Sequence, residues 1–144
     1  MNKPTAIRIA ASLAAALALA ACGKPEEPEQ NEADIAKIIE AGQAKVDERS
    51  SEAVQAHMDR IADADGKPLT SGDMKQDVDN LYKVDTELAE ANYKVAKEKC
   101  DTSSGATKDQ CLKLAKANYE VALADALAKK AGAKAEIESL QPPR

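Results

Sequence analysis

The spacing of apolar residues constrains the fold of this chain more than any other feature of its sequence. Between Thr70 and Lys99, apolar side chains recur at steps of three and four. Such steps place residues on one side of an α-helix, and their alternation is typical of a coiled-coil seam. The repeat spans only about three heptads, too few to establish a coiled coil. We predict an amphipathic helix with the apolar stripe Met74, Val78, Leu81, Val84, Leu88, Ala91 and Val95.

Similar stripes on either side predict two further helices. Asn31 is a favourable N-cap residue for the first helix, and Gly66 suits the left-handed conformation that follows a helix C-terminus. The third helix opens with Thr107 and Gln110 in a capping-box pattern. These signals predict an all-α domain over residues 31–144, in which three long helices form a bundle or one helix packs on a helical hairpin. The predicted helices span residues 31–64, 71–101 and 108–139.

The scarcity of aromatic residues argues against a deep core or a deep ligand pocket. The chain has no Trp, no Phe and only three Tyr residues, whereas Ala is its commonest residue. Large aromatic side chains usually dominate the energetics of cores and interfaces. Ala is the strongest helix former, and its small side chain lets helices approach closely. We therefore expect long, thin helices in close contact.

The N-terminal segment has the pattern of an export signal. Residues 1–8 contain Lys3 and Arg8 but no acidic residue, and residues 9–21 are uncharged. The uncharged run has 13 residues, whereas a membrane-spanning helix needs about 20. A plain signal peptide or an uncleaved anchor would show the same two regions.

The word Leu19-Ala20-Ala21-Cys22 at the end of this segment resembles the lipobox of bacterial lipoproteins. The resemblance implies that residues 1–21 are a cleaved signal peptide and that Cys22 carries a diacylglycerol and an acylated amine. Two or more acyl chains anchor a protein stably, whereas one holds it only marginally. Gly23 stands where an Asp would imply retention at the inner membrane. The resemblance therefore implies the outer membrane with the body on the periplasmic face, and surface exposure is the alternative.

The residues after Cys22 and the net charge of the chain indicate how the body would be attached to the membrane. Residues 22–30 contain two prolines and three glutamates, so we predict a lipidated, extended tether there. The chain has a net charge of −5, which becomes −7 without Lys3 and Arg8. Such an acidic body does not neutralise phosphates, so nucleic acid is not an expected partner. It also presents no basic patch to anionic lipid, so the lipid on Cys22 must provide the membrane attachment.

If Cys22 carries lipid, the remaining cysteines Cys100 and Cys111 are an even pair in an oxidising compartment. They flank the turn between the second and third predicted helices. A disulfide needs Cα atoms within about 7 Å, whereas packed helices lie about 8–10 Å apart. The pair can therefore meet only close to the turn. We predict that a Cys100–Cys111 disulfide staples these helices into a hairpin and stabilises it by about 2–3 kcal/mol.

A short internal repeat falls on the two arms of this hairpin. Residues 89–96 read AEANYKVA and residues 115–122 read AKANYEVA, with six of eight positions identical. The match indicates either a duplicated helix or a coincidence between Ala-rich helices. It places Tyr93 and Tyr119 at matching positions, so both are candidate interface residues or fillers of gaps inside the hairpin. The pattern resembles small Ala-rich helical envelope proteins of proteobacteria, a resemblance that implies no activity.

No catalytic or metal-binding constellation is apparent in the sequence. His57 is the only histidine, whereas a zinc site needs three or four ligands and a catalytic nucleophile needs a base held by a third group. Asp63 and Asp65 lack the ligand spacing of a calcium-binding loop. The chain also lacks a Gly-rich phosphate loop. We therefore expect no enzyme activity, metal or cofactor, and we interpret His57 as a helix-surface residue.

These observations predict a lipoprotein of the outer membrane whose periplasmic body is a non-enzymatic structural or protein-interaction module. Its partners would be the membrane, through Cys22, and an unidentified protein. The alternative is an inhibitor, immunity protein or chaperone-like binder of a periplasmic protein. An uncovered apolar patch on the body would favour this alternative, whereas an apolar seam buried within the helices would favour a scaffold.

Overall fold

The computed structural model describes residues 27–140, which fold into three long helices. They are α1 (Pro28–Asp63), α2 (Ser71–Cys100) and α3 (Gly105–Ser139). The prediction of an all-α fold is therefore confirmed. The three C-terminal boundaries lie within a residue of the predicted ones, whereas α1 and α3 each begin three residues earlier than predicted.

The early start of α1 corrects two expectations. Pro28 occupies the start of the helix after the extended residue Glu27, a place that suits Pro because its fixed φ is helical and its missing N–H is not needed there. Residues 28–30 of the predicted tether are therefore helical. Asn31, predicted as the N-cap, lies inside α1 and is buried. Its side-chain amide donates to the backbone carbonyl of Glu98, 2.7 Å away, and so joins the start of α1 to the end of α2.

The N-termini of α2 and α3 differ in how they are capped. Thr70 and Asp73 form a capping box at α2, with the Asp73 N–H donating to the Thr70 hydroxyl at 3.2 Å and the Thr70 N–H donating to the Asp73 carboxylate at 2.9 Å. The capping box predicted at Thr107 is not formed. The Lys108 N–H already donates to the Ser104 carbonyl, so Thr107 lies within the first turn of α3 and cannot act as its N-cap.

The reversal between α1 and α2 follows the sequence signal for a helix end. Asp65 and Gly66 both have left-handed backbone conformations, with φ of 49° and 77°. This conformation costs Gly little and is tolerated by Asp better than by most residues. The prediction that α1 ends at this point is confirmed.

The helices pack with α2 in the middle. Both α1 and α3 contact α2, and within residues 27–140 they make no contact with each other. The arrangement is thus the second of the two that the sequence allowed, a helix packed on a disulfide-stapled hairpin. Because α2 separates its neighbours, the domain is one helix thick.

The α2–α3 hairpin is joined at its turn and along its length. Cys100 and Cys111 form a disulfide with Cα atoms 5.7 Å apart, and Cys100 is fully buried. Further along, the rings of Tyr93 and Tyr119 stack with centroids 4.9 Å apart. The internal repeat therefore places one ring on each arm at the same level of the hairpin.

The α1–α2 contact depends on a close approach at Gly42. A Cβ atom built on Gly42 would lie 2.8 Å from the Cβ of Ala91, a separation that real Cβ atoms do not adopt. Gly132 in α3 offers a contrast, because a Cβ there would meet nothing within 4 Å.

Replacing Gly42 and Gly132 by Ala should therefore change stability in opposite directions. Gly132→Ala should raise the free energy of unfolding by about 0.5–1 kcal/mol through helix propensity. Gly42→Ala should lower it by about 1–3 kcal/mol, because the added methyl group overpacks the contact with Ala91. Urea denaturation followed by far-UV circular dichroism measures both. A Gly42→Ala variant as stable as Gly132→Ala would contradict the close approach.

Candidate protein-interaction surface

The central helix α2 is covered on two opposite sides only. With 3.6 residues per turn, the residues that meet α1 and those that meet α3 lie roughly 150–180° apart around its axis. Two other sides of α2 therefore remain exposed, one on each face of the layer. The residues that contact α1 include Asp77, Glu87, Ala91 and Glu98, and those that contact α3 include Tyr82, Tyr93 and Cys100.

One of these two faces is apolar. The predicted apolar stripe of α2 is centred on the exposed side near Leu81 and Leu88, and only its edges reach the neighbouring helices. On α1, large apolar side chains are exposed toward the same side. We call this surface the apolar face; its large members, between 45% and 63% exposed, are Ile39, Val54, Ile61, Leu81 and Leu88.

A groove of about 390 Å³ runs between α1 and α2 on the apolar face. Val54 and Leu81 stand on its two sides, and Ala53 and Val84 line it between them. The groove is open to solvent along its length, as expected where two packed helices lack a third neighbour. Its shape therefore suits a second helix better than an enclosed small molecule.

The end of the groove near the α1–α2 turn is polar. The Nδ1 atom of His57 lies 2.8 Å from one carboxylate oxygen of Asp77, and the Arg60 guanidinium pairs with the other oxygen. Asp77 thus joins two turns of α1 to α2. His57 is 44% exposed, which agrees with its interpretation as a helix-surface residue.

The groove also contains Ser50, but Ser50, His57 and Asp77 do not form a catalytic triad. Ser50 precedes His57 by seven residues on the same helix, a rise of about 10 Å. A nucleophile must lie about 2.6–3.2 Å from its base. Within residues 27–140, no cluster of three or more His, Cys, Asp or Glu residues could hold a metal ion.

The opposite face of the layer is charged. Arg49 on α1 lies 3.7 Å from Glu87, Lys94 pairs with Glu90 at 2.6 Å, and Asp79 accepts from two lysines of α3. Exposed pairs of this kind add little stability individually. They keep this face hydrated, so the two faces of the layer differ in chemistry.

The outer edge of α3 is a second uncharged surface. Its exposed residues recur at steps of three and four, but most are Ala and offer little apolar area each. Leu114 and Val121 are its large side chains, 62% and 60% exposed. We call this surface the α3 edge; it comprises Leu114, Ala117, Val121, Ala124, Ala128, Ala131 and Ala135.

The predicted site residues that the structure describes lie away from the apolar face. Cys22 lies outside the described residues, and Cys100 and Cys111 join the turn of the hairpin. Tyr93 and Tyr119 stack on each other between α2 and α3, with Lys97 above Tyr93, so their role in an interface stays a prediction. The stripe of α2 was the signal for the apolar face, but its periodicity alone does not show which part of the stripe stays exposed.

Comparison with known proteins identifies no relative: no family model, curated protein or solved structure matches this chain. None of the helices in residues 27–140 combines the length and apolar content needed to cross a membrane.

The charged face makes the α2–α3 contact sensitive to acid. Hydrogen bonds from Lys134 and Lys130 lower the pKa of Asp79. A carboxylate whose pKa is lowered in the folded state stabilises the fold fully at pH values above its unfolded-state pKa of about 3.9. This contribution is lost as the pH falls from there through the lowered folded-state pKa.

Asp79→Asn should therefore be less stable than the parent at neutral pH by up to about 1 kcal/mol, because the ion pairs are partly exposed. The difference should shrink as the pH falls from about 5 to about 2. Thermal unfolding across this range measures it. Asp59→Asn is the control, since Asp59 accepts from the neutral amide of Gln55. A difference at Asp79 that stays constant with pH would contradict the role of the lysines.

Proposed function

We propose that this protein is a bacterial lipoprotein anchored in the outer membrane through Cys22, with its helical body acting in the periplasm as a non-enzymatic protein-interaction module. The single observation that carries the location is the word Leu19-Ala20-Ala21-Cys22, which lies outside the described residues. The observation that carries the mode of action is the uncovered apolar face of α1 and α2.

The path of the chain is compatible with such an anchor. Six residues, from Cys22 to Glu27, precede α1, and they can reach at most about 20 Å. The end of the layer that contains Asn31, Glu98 and the disulfide would then lie near the membrane. Helices of 30 to 36 residues would extend about 45–54 Å from it, with the His57–Asp77 contact at the far end.

The non-enzymatic role rests on how the polar groups of the groove are used. Asp77 binds both His57 and Arg60, and so connects α1 to α2. Ser50 is two helical turns away from His57. The arrangement supports binding through the apolar groove rather than chemistry at its polar end.

The uncovered apolar face also favours the binder class of the predicted alternatives over a passive scaffold. A scaffold would bury its seam within the helices, whereas Leu81 and Leu88 are 61% and 45% exposed. As a second candidate function, the body is an inhibitor, immunity protein or chaperone-like binder that receives a helix of a periplasmic protein in this groove.

Cys22→Ser should abolish lipid attachment and leave a precursor of higher mass, because the modified thiol is absent. Growth with a clickable palmitate analogue, followed by membrane fractionation, measures label and location together. The parent chain should carry label in the outer-membrane fraction. The matched control is the double variant Cys100→Ser, Cys111→Ser, which keeps Cys22 and should keep its label. Equal labelling of Cys22→Ser and the parent would refute the anchor.

A further inference from the structure

We propose that the apolar face is covered by the same face of a second copy of this chain. The α1–α2 pairs of two copies would then meet as a four-helix bundle, with one α3 on the flank of each pair. This inference deepens the proposed function, since it names the partner of the interaction surface.

The size of the apolar face matches what a stable dimer buries. Five large side chains that are about half exposed leave on the order of 500 Å² of apolar surface, a large patch for a monomer. A homodimer interface of about 800 Å² per partner that is about 65% apolar would bury about 500 Å² of apolar surface on each copy. The face therefore supplies the apolar area of one standard interface, without needing the α3 edge.

Two carboxylates beside the groove are already paired within the chain. Asp77 binds His57 and Arg60, and Asp85 accepts from Lys129 of α3 at 3.4 Å. Burying an unpaired charge would strongly oppose association. When a second copy docks here, these carboxylates keep their partners. The free energy gained by burying apolar surface is therefore not offset by the cost of desolvating unpaired ions.

The pattern of the stripe also suits a two-fold partner. In a dimer with its axis parallel to the helices, α1 of one copy faces α2 of the other, and residues at the same level meet. Val54 and Leu81 line the same groove. Val54 of each copy would therefore face Leu81 of the other copy across the interface. Both Cys22 ends would lie on the same side, as two copies anchored in one membrane require.

Site-specific photo-crosslinking in cells tests this proposal on the full chain. A benzophenone amino acid replaces Leu81 or Leu88, and two differently tagged versions of the chain are expressed together. Val121 on the α3 edge is the matched control, because it is 60% exposed and Leu81 is 61% exposed. Light should produce a product that carries both tags from positions 81 and 88, and at least about tenfold less of it from position 121.

A charge on the apolar face should prevent this product. Val54→Lys, combined with the probe at position 88, should lower the doubly tagged product about tenfold, since the introduced ammonium would be buried without a partner. Leu127→Lys on α3, at a residue 55% exposed, should leave it unchanged. Both positions are solvent-exposed, so far-UV circular dichroism should show the same helix content in the two variants.

The outcomes separate this inference from the proposed function. A doubly tagged product from position 121 but not from 81 or 88 would show that the α3 edge is the interface and overturn the proposal. Products at 81 and 88 that contain only other proteins would overturn self-association and leave the interaction module intact. No protein product from any position would overturn both. A parent chain without lipid label, or equal labelling of the parent and Cys22→Ser, would refute the anchor alone.

Discussion

The two-sided packing of α2 is the constraint on which the rest of the structure depends. Asp77, Ala91 and Glu98 meet α1 on one side, and Tyr93 and Cys100 meet α3 on nearly the opposite side. Because the outer helices make no contact with each other within residues 27–140, no third helix closes over α2. A domain one helix thick has two faces and little interior, and the difference between those faces determines what the protein can bind.

Because the domain has only a small buried core, other interactions must help to hold its helices together. Within residues 27–140 the buried apolar residues are few and mostly small, as Ala89, Ala115 and Ala126 illustrate. Small residues allow the close approach of α1 and α2 at Gly42, but each buries little area and so contributes little hydrophobic free energy. The Cys100–Cys111 disulfide and the Asn31 hydrogen bond to Glu98 join all three helices at one end of the layer, and Asp77 joins α1 to α2 near the other.

The division between a charged face and an apolar face connects this architecture to function. Ion pairs such as Lys94–Glu90 keep one face in water, whereas Leu81 and Val54 expose apolar area on the other. A body of this kind has a surface suited to helix-on-helix contact with a partner. Self-association through that surface would convert two open layers into one closed bundle, in which the stripe of α2 is finally buried.

Local sequence signals determined the helices and most of their ends. The left-handed turn at Gly66 and the closeness of the cysteines to the hairpin turn depend on nearby residues, so the sequence alone predicts them. The capping box, predicted at Thr107, forms instead at Thr70. Only the tertiary structure decided that Asn31 caps the end of α2, that His57 meets Asp77 and that Leu81 stays exposed. Helical periodicity shows where a stripe is centred, but not how many helices pack around it. The number and placement of neighbours depend on contacts between residues far apart in sequence, and these contacts made one part of the α2 stripe an interior and the other a surface.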